Sequence, residues 1–183
     1  MTLAAAWLSD RTWPVRIMML LSANALLVLT SQIYLPFEPV PVTGQTFAVL
    51  LVAATLGSRY GTAVVVAYLL QGGLGLPVFS QFNSGIPLDT AGYLLGFIPA
   101  AYLVGRLYEL RKPKSILGGF SIMALGTLVI YVCGAGWLAT MVGLEAAVVL
   151  GVLPFLIGDA GKAIVAALAA RAANAPEPGE TPA

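Results

Sequence analysis

The chain contains no histidine, a single cysteine and very little charge: nine Lys and Arg and eight Asp and Glu among 183 residues. Without histidine, the side chain that most often moves protons near neutral pH is missing. With Cys133 alone, neither a disulfide framework nor a cysteine-based metal site can form. It is read as a buried structural thiol in an apolar run. No G-x-x-x-x-G-K-[ST] loop is present, so the chain does not hydrolyse ATP by that device. No two similar halves are visible, which disfavours a self-sufficient secondary transporter. A net charge of +1 supplies no basic field for nucleic acid. Charged residues make up 9% of the chain, against about 25% in soluble domains. What is there instead is apolar: 59% hydrophobic residues and a mean hydropathy of +0.92. The expected fold class is an all-α integral membrane protein.

Six apolar segments are expected, over about 15–35, 44–56, 62–74, 90–108, 115–138 and 146–171, which suits spans of about 20 residues with short loops. They form one bundle over 15–173. Residues 1–14 are expected to be a retained cytoplasmic segment with Trp7 and Trp13 at the membrane interface, and 174–183 a disordered tail of Pro, Glu and Gly. After the first segment, Pro36, Pro39 and Pro41 forbid regular helix, so this stretch is read as a stiff cap or re-entrant loop. Gly57 to Gly61 reads as a tight connection between segments two and three. The connector 75–89 is too apolar for an idle loop and too broken by Gly and Pro for a helix, and reads as a lid. Gly92, Gly96 and Ala100 place small residues four apart on segment four, the pattern for close helix contact in lipid.

With six spans the cations segregate. Arg11, Arg16, Arg59, Arg106, Arg111, Lys112, Lys114 and Arg171 fall on one side, while the opposite loops carry Glu38, Asp89 and Glu145. The positive-inside rule then places both termini in the cytoplasm. Lys162 is the cation that stands apart, and it lies three residues after Asp159 within the last apolar segment. A charge at the bilayer centre costs at least about 2.5–3.5 kcal/mol on insertion scales. Residues at i and i+3 share a helix face with Cβ atoms roughly 5–6 Å apart. The pair is therefore read as facing a ligand pocket, with Gly158, Ala160 and Gly161 leaving space for a ligand or a partner helix. The competing readings are a structural ion pair and, less suited to a lone acid, a proton relay. Pro154 should kink the helix or free a carbonyl one turn earlier. Gln45 and Asn83 could line an outer pocket. Tyr34, Phe37, Phe79, Phe82 and Tyr93 could serve as interface anchors or as an apolar cage.

Four stretches, in order, resemble the BioY family, the biotin-specific substrate-binding (S) components of energy-coupling factor (ECF) transporters. They are Val40-Pro41-Val42-Thr43-Gly44-Gln45-Thr46, Gly75-Leu76-Pro77-Val78-Phe79, Gly92-Tyr93-Leu94-Leu95-Gly96-Phe97 and Pro154-Phe155-Leu156-Ile157-Gly158-Asp159-Ala160-Gly161-Lys162. The likeness spans roughly 32–167. It implies a six-helix membrane subunit in the bacterial cytoplasmic (inner) membrane that captures biotin from outside, with Asp159 and Lys162 in the biotin site. It implies no enzyme activity and no cofactor, and as partners a transmembrane coupling subunit and two ATPases. The family's Gly-Pro-Thr-Gly-Gly-Tyr is here Leu88-Asp89-Thr90-Ala91-Gly92-Tyr93, and the small-residue face of its first helix is here broken by Leu26, Leu27 and Leu29. The expected substrate-binding residues are Asp159, Lys162, Gln45, Asn83, Tyr93, Thr43 and Phe79. The alternatives are an S component for another vitamin and a structural membrane protein with a buried Asp–Lys pair.

Overall fold

The computed structural model describes residues 2, 6 and 10–174. The expectations for Trp7 and for a tail over 175–183 lie outside the described residues. The order is α1 (Trp13–Ser31), β1 (Tyr34–Leu35), β2 (Val42–Thr43), α2 (Gln45–Gly73), a 3₁₀ turn (Ser80–Phe82), α3 (Ala91–Arg111), α4 (Ile116–Val142), α5 (Leu144–Gly151), a second 3₁₀ turn (Leu153–Phe155) and α6 (Leu156–Ala173). Stretches 13–31, 45–73, 116–142 and 144–173 are long and apolar enough to cross a membrane. Their outward faces carry large apolar side chains such as Ile17, Leu29, Leu128, Ile157 and Val165, as lipid contact requires. The chain is a multi-pass helical membrane protein.

Gln45–Gly73 corrects the expected five-residue connection between segments two and three. Helix runs up to Gly57 and resumes at Ser58, with Gly57 alone outside helical geometry at φ 76° and ψ −178°. That conformation is open to glycine and rare for other residues. The two arms fold back on each other. Gly61 lies against Ala53, where a methyl on Gly61 would stand 2.8 Å from the Ala53 Cα. Further along, Gln45 Nε2 donates to the Tyr68 hydroxyl at 2.5 Å.

The break at Gly57 leaves the first amide of the second arm without a helical partner, as every helix start does. Glu109 of α3 supplies it. Its Oε1 accepts from Ser58 N at 3.1 Å and its Oε2 from Ser58 Oγ at 3.0 Å, while Arg106 sits 3.5 Å from the same carboxylate. Hydrogen bonds to charged acceptors contribute about 1.5–3 kcal/mol. Glu109→Ala is therefore expected to lower the unfolding temperature in detergent clearly, and Glu109→Gln, which keeps one acceptor, to lower it less. A thermal melt followed by tryptophan fluorescence checks both.

Elsewhere the bundle closes on small residues. Lipid gives no hydrophobic drive between helices, so close van der Waals contact must hold them. Gly92 and Gly96 of α3 do pack on α4, Gly96 approaching Cys133 and Ile130 and Gly92 approaching Trp137, and Ala100 one turn on is buried. Cys133 is half-buried at this seam rather than sunk in the core. Asn174, expected to begin the free tail, instead donates to the carbonyls of Ala170 at 2.8 Å and Ala54 at 3.3 Å.

The last segment also departs from expectation. Pro154 does more than kink it; helix stops at Gly151 and restarts at Leu156. Phe155 N donates to Val152 O at 3.0 Å, one residue short of the α-helical pattern. The carbonyl of Gly151 is thereby released from the ladder, and the Tyr93 hydroxyl donates to it at 2.8 Å.

Candidate functional site

At the end of the bundle where α2 and α3 begin lies a cavity of about 330 Å³. Its rim is the proline-rich stretch 36–41 and the connector 79–90, and its wall is made by the first turns of α2 and α3 with the middle of α4. The floor is Phe155 and Asp159. Small-molecule sites occupy about 300–1,000 Å³. The rim loops are fixed rather than loose. The two-residue antiparallel ladder pairs Tyr34 with Thr43 and Leu35 with Val42, which closes the proline loop at its base. The connector is tied to α2 by the Tyr68 hydroxyl, which donates to Val78 O at 3.2 Å, and to α4 by Trp137 Nε1, which donates to Leu88 O at 2.6 Å.

Asp159 is 3% exposed. Its Oδ1 accepts from Lys162 Nζ at 2.7 Å and its Oδ2 from the Tyr131 hydroxyl at 2.7 Å. Lys162 also donates to Thr43 O at 2.6 Å, so its charge joins α6 to the base of the proline loop. A buried carboxylate is tolerable only when paired and hydrogen-bonded in this way. The pairing still leaves capacity, because an ionised carboxylate has about four lone-pair sites and two are occupied.

Of the seven residues singled out from the sequence, six line the cavity: Asp159, Gln45, Asn83, Tyr93, Thr43 and Phe79. Lys162 does not; it stands behind the wall and supports Asp159 and Thr43. Gln45 is committed at both ends, accepting from Thr43 Oγ1 at 3.0 Å and donating to Tyr68. Asn83 is exposed on the connector. Phe79 packs edge-on against Tyr68 with centroids 5.4 Å apart, and Tyr93 stacks on Phe155 at 6.4 Å. Of the other aromatics, Phe37 lines the rim, whereas Tyr34 and Phe82 are exposed outside it. Gly158 and Gly161 have open space beside them and lie on the outer face of α6, away from the cavity. Sequence reasoning missed Tyr131. It lies in an even apolar run, and nothing local distinguishes its hydroxyl from an interfacial one. A helix-wheel comparison with Ile130 and Gly134 would have put it on the inner face of α4.

Apolar helices around a loop-roofed cavity with a hydrogen-bonded carboxylate on its floor define a multi-pass membrane protein with an internal cavity of small-molecule size. The BioY family model matches residues 5–178, and the chain belongs to that family. It is 39% identical to the biotin transporter BioY of Thermotoga maritima over 151 residues, covering 80% of this chain and 88% of that one. It is 38% identical to the probable biotin transporter BioY of Pyrococcus horikoshii, covering 80% and 88%. With the biotin transporter BioY of Rhizobium etli it shares 37% identity, covering 76% and 81%. Among solved structures, the crystal structure of the S-component for biotin from an ECF-type ABC transporter matches with a TM-score of 0.76 over 89% of this chain and 94% of that one. At 24% identity that likeness speaks for the fold.

Proposed function

We propose that this chain is the biotin-binding subunit of an ECF-type transporter and that biotin occupies the cavity roofed by 36–41 and 79–90. The observation that carries the reading is Asp159, a buried carboxylate with acceptor capacity left over on the floor of a cavity of ligand size, in a chain whose relatives are named biotin transporters. The ureido ring of biotin offers N–H donors and a carbonyl, and its thioether ring and chain are apolar. In the proposed pose the ureido donors meet Asp159, and Tyr93, Phe97, Phe155 and Phe79 enclose the apolar part. The protein binds and releases; it catalyses no reaction and needs no cofactor.

The arms of α2 on either side of Gly57 are proposed to cross the bilayer separately, which with α1, α3, α4 and the α5–α6 unit makes six spans. Both termini then lie in the cytoplasm of the bacterial inner membrane, in accord with the side that carries the arginines. The cavity opens outward. Inward release relies on a transmembrane coupling subunit and two ATPases, since the chain carries no nucleotide-binding loop.

Equilibrium titration of the purified protein with biotin tests the reading. Saturable one-to-one binding is expected. Selective retention of a different vitamin, or no ligand at all, would point to the two alternatives. Within this frame, Tyr131→Phe removes one charge-assisted donor from Asp159. Such a bond contributes about 1.5–3 kcal/mol, so biotin affinity is expected to fall about tenfold or more with the protein still folded. The same titration on the variant measures it.

A further inference from the structure

A ligand with an ionised end is usually met by a counter-charge, most often Arg or Lys. Biotin ends in a carboxylate at neutral pH. The cavity offers the wrong sign. Three of its lining residues are acidic, Glu38, Asp89 and Asp159, and among the described residues no Lys or Arg lines it. Lys162 stands behind the wall with its ammonium on Asp159 Oδ1 and Thr43 O. The other cations lie at the opposite end of the bundle: Arg11 and Arg16 at the start of α1, Arg59 at the tip of the α2 hairpin, Arg106 to Lys114 at the end of α3 and just beyond it, and Arg171 at the end of α6.

Free amides at a helix start are the other common seat for a carboxylate. Two helices begin at this cavity, and both starts already carry an acceptor from the chain. Thr43 Oγ1 accepts from Gln45 N at 3.4 Å at the start of α2. Asp89 Oδ1 accepts from Thr90 N at 3.0 Å just ahead of α3. Asp89 thereby sets a negative charge where the helix dipole would favour an anion. With the ureido ring on Asp159 at the floor, the acid end of biotin points to the rim. There Glu38 is exposed on the proline-rich loop and Asp89 is half-buried on the connector. Repulsion acts through space and needs no contact, and at physiological salt it reaches about 8 Å before screening takes over.

We infer that this pocket recognises the ring system of biotin and not its carboxylate, so that biotin capped as a neutral amide binds at least as tightly as the free acid, with Glu38 and Asp89 setting the preference. The inference rests on the biotin reading above and narrows its substrate class. A carboxamide forfeits no ion pair at this rim, because none is on offer. Its N–H donors suit a rim of acceptors. It also costs less to take out of water than an ionised carboxylate does.

The test titrates the full chain in detergent with biotin and with biotinamide, which differ only in that end group. Biotinamide is expected to bind about twofold to fivefold more tightly. Glu38→Lys supplies the missing cation and should reverse the order, favouring the free acid by about fivefold. Glu38→Gln combined with Asp89→Asn should move the ratio the same way by a smaller factor. Asn at position 89 can still accept from Thr90 N, and the ratio of two ligands cancels any loss of folded protein. Tighter binding of biotin than of biotinamide by the wild type overturns the inference, because a group on the wall, or Lys162 in an inverted pose, is then pairing with the carboxylate. A ratio that Glu38→Lys leaves unchanged overturns it as well, by placing the chain end away from the rim. Binding of neither ligand overturns the functional reading and this inference with it. Binding of both with biotin the tighter leaves the functional reading standing and removes this inference alone.

Discussion

Asp159→Asn is expected to raise the dissociation constant for biotin by at least about a hundredfold, which corresponds to about 2.7 kcal/mol. The carboxylate takes the Lys162 ammonium on one oxygen and the Tyr131 hydroxyl on the other, and each oxygen keeps a further lone pair for a ligand donor. An asparagine has one acceptor oxygen and two donors. Whichever way it is turned, its amide presents hydrogens to either the ammonium, the phenol or the ligand. The substitution also leaves Lys162 with its charge and without a counterion, and breaking one side of a buried pair costs about 3–5 kcal/mol. The Lys162 side chain is 20% exposed, so part of that cost is relieved by water. The unfolding temperature should therefore fall along with affinity, which by itself leaves a purely structural pair as a competing explanation. The double variant Asp159→Asn with Lys162→Met separates them. It removes the orphaned charge, so thermal stability should recover towards wild type. Binding should not recover, because the acceptor is still gone. Wild-type titration in the single variant, or joint recovery of stability and affinity in the double one, would return Asp159 and Lys162 to the status of a structural ion pair.

How legible this was in the sequence depended on the range of the physics involved. The Asp–Lys pair stood out because charge in an apolar segment is costly wherever the helix sits, so no tertiary knowledge was needed. Pro154 likewise announced a disturbed helix, since a missing N–H is a local fact. What it did with the freed carbonyl was not local: Gly151 O is taken by Tyr93, 58 residues away. The same limit hid Tyr131, whose role exists only because α4 packs beside α6. The Gly57 break was placed within five residues but given the wrong form. Gly57-Ser58-Arg59-Tyr60-Gly61 contains two glycines and looks like a loop. The structure needs one residue at positive φ, because Glu109 arrives from another helix to satisfy the exposed amide. Gln32 carried no signal at all, being one more polar residue near a helix end. Its Nε2 donates to Phe79 O, 47 residues further on.

Gly105→Val is expected to abolish the folded protein, whereas Gly136→Ala and Gly161→Ala should leave it intact. In the sequence all three are glycines in apolar helices, and propensity alone would predict that replacing any of them helps by up to about 1 kcal/mol. The surroundings reverse that for Gly105. A methyl there would stand 2.5 Å from Ser58 N, 2.6 Å from the Gly57 carbonyl carbon and 2.7 Å from the Ser58 Cα. All three are backbone atoms at the tip of the α2 hairpin, and none can rotate away as a side chain would. α3 would have to withdraw from the hairpin. Withdrawal also pulls Glu109, one turn further along the same face, off the Ser58 amide that it caps. The Ser58 amide then loses the acceptor that pairs it, at a cost of about 1–3 kcal/mol. Both losses arise from one added side chain, and helix contacts in lipid have no hydrophobic drive to compensate for them. Beside Gly136 and Gly161 there is open space, so an added methyl meets lipid and contributes its small gain in helix propensity. Expression of each variant as a fluorescent fusion, followed by size-exclusion chromatography in detergent, reads the outcome directly. A symmetric peak at the wild-type position for Gly105→Val would mean that α3 and the hairpin tip are not in close contact, and the account of how the cavity's walls are held in register would fail with it.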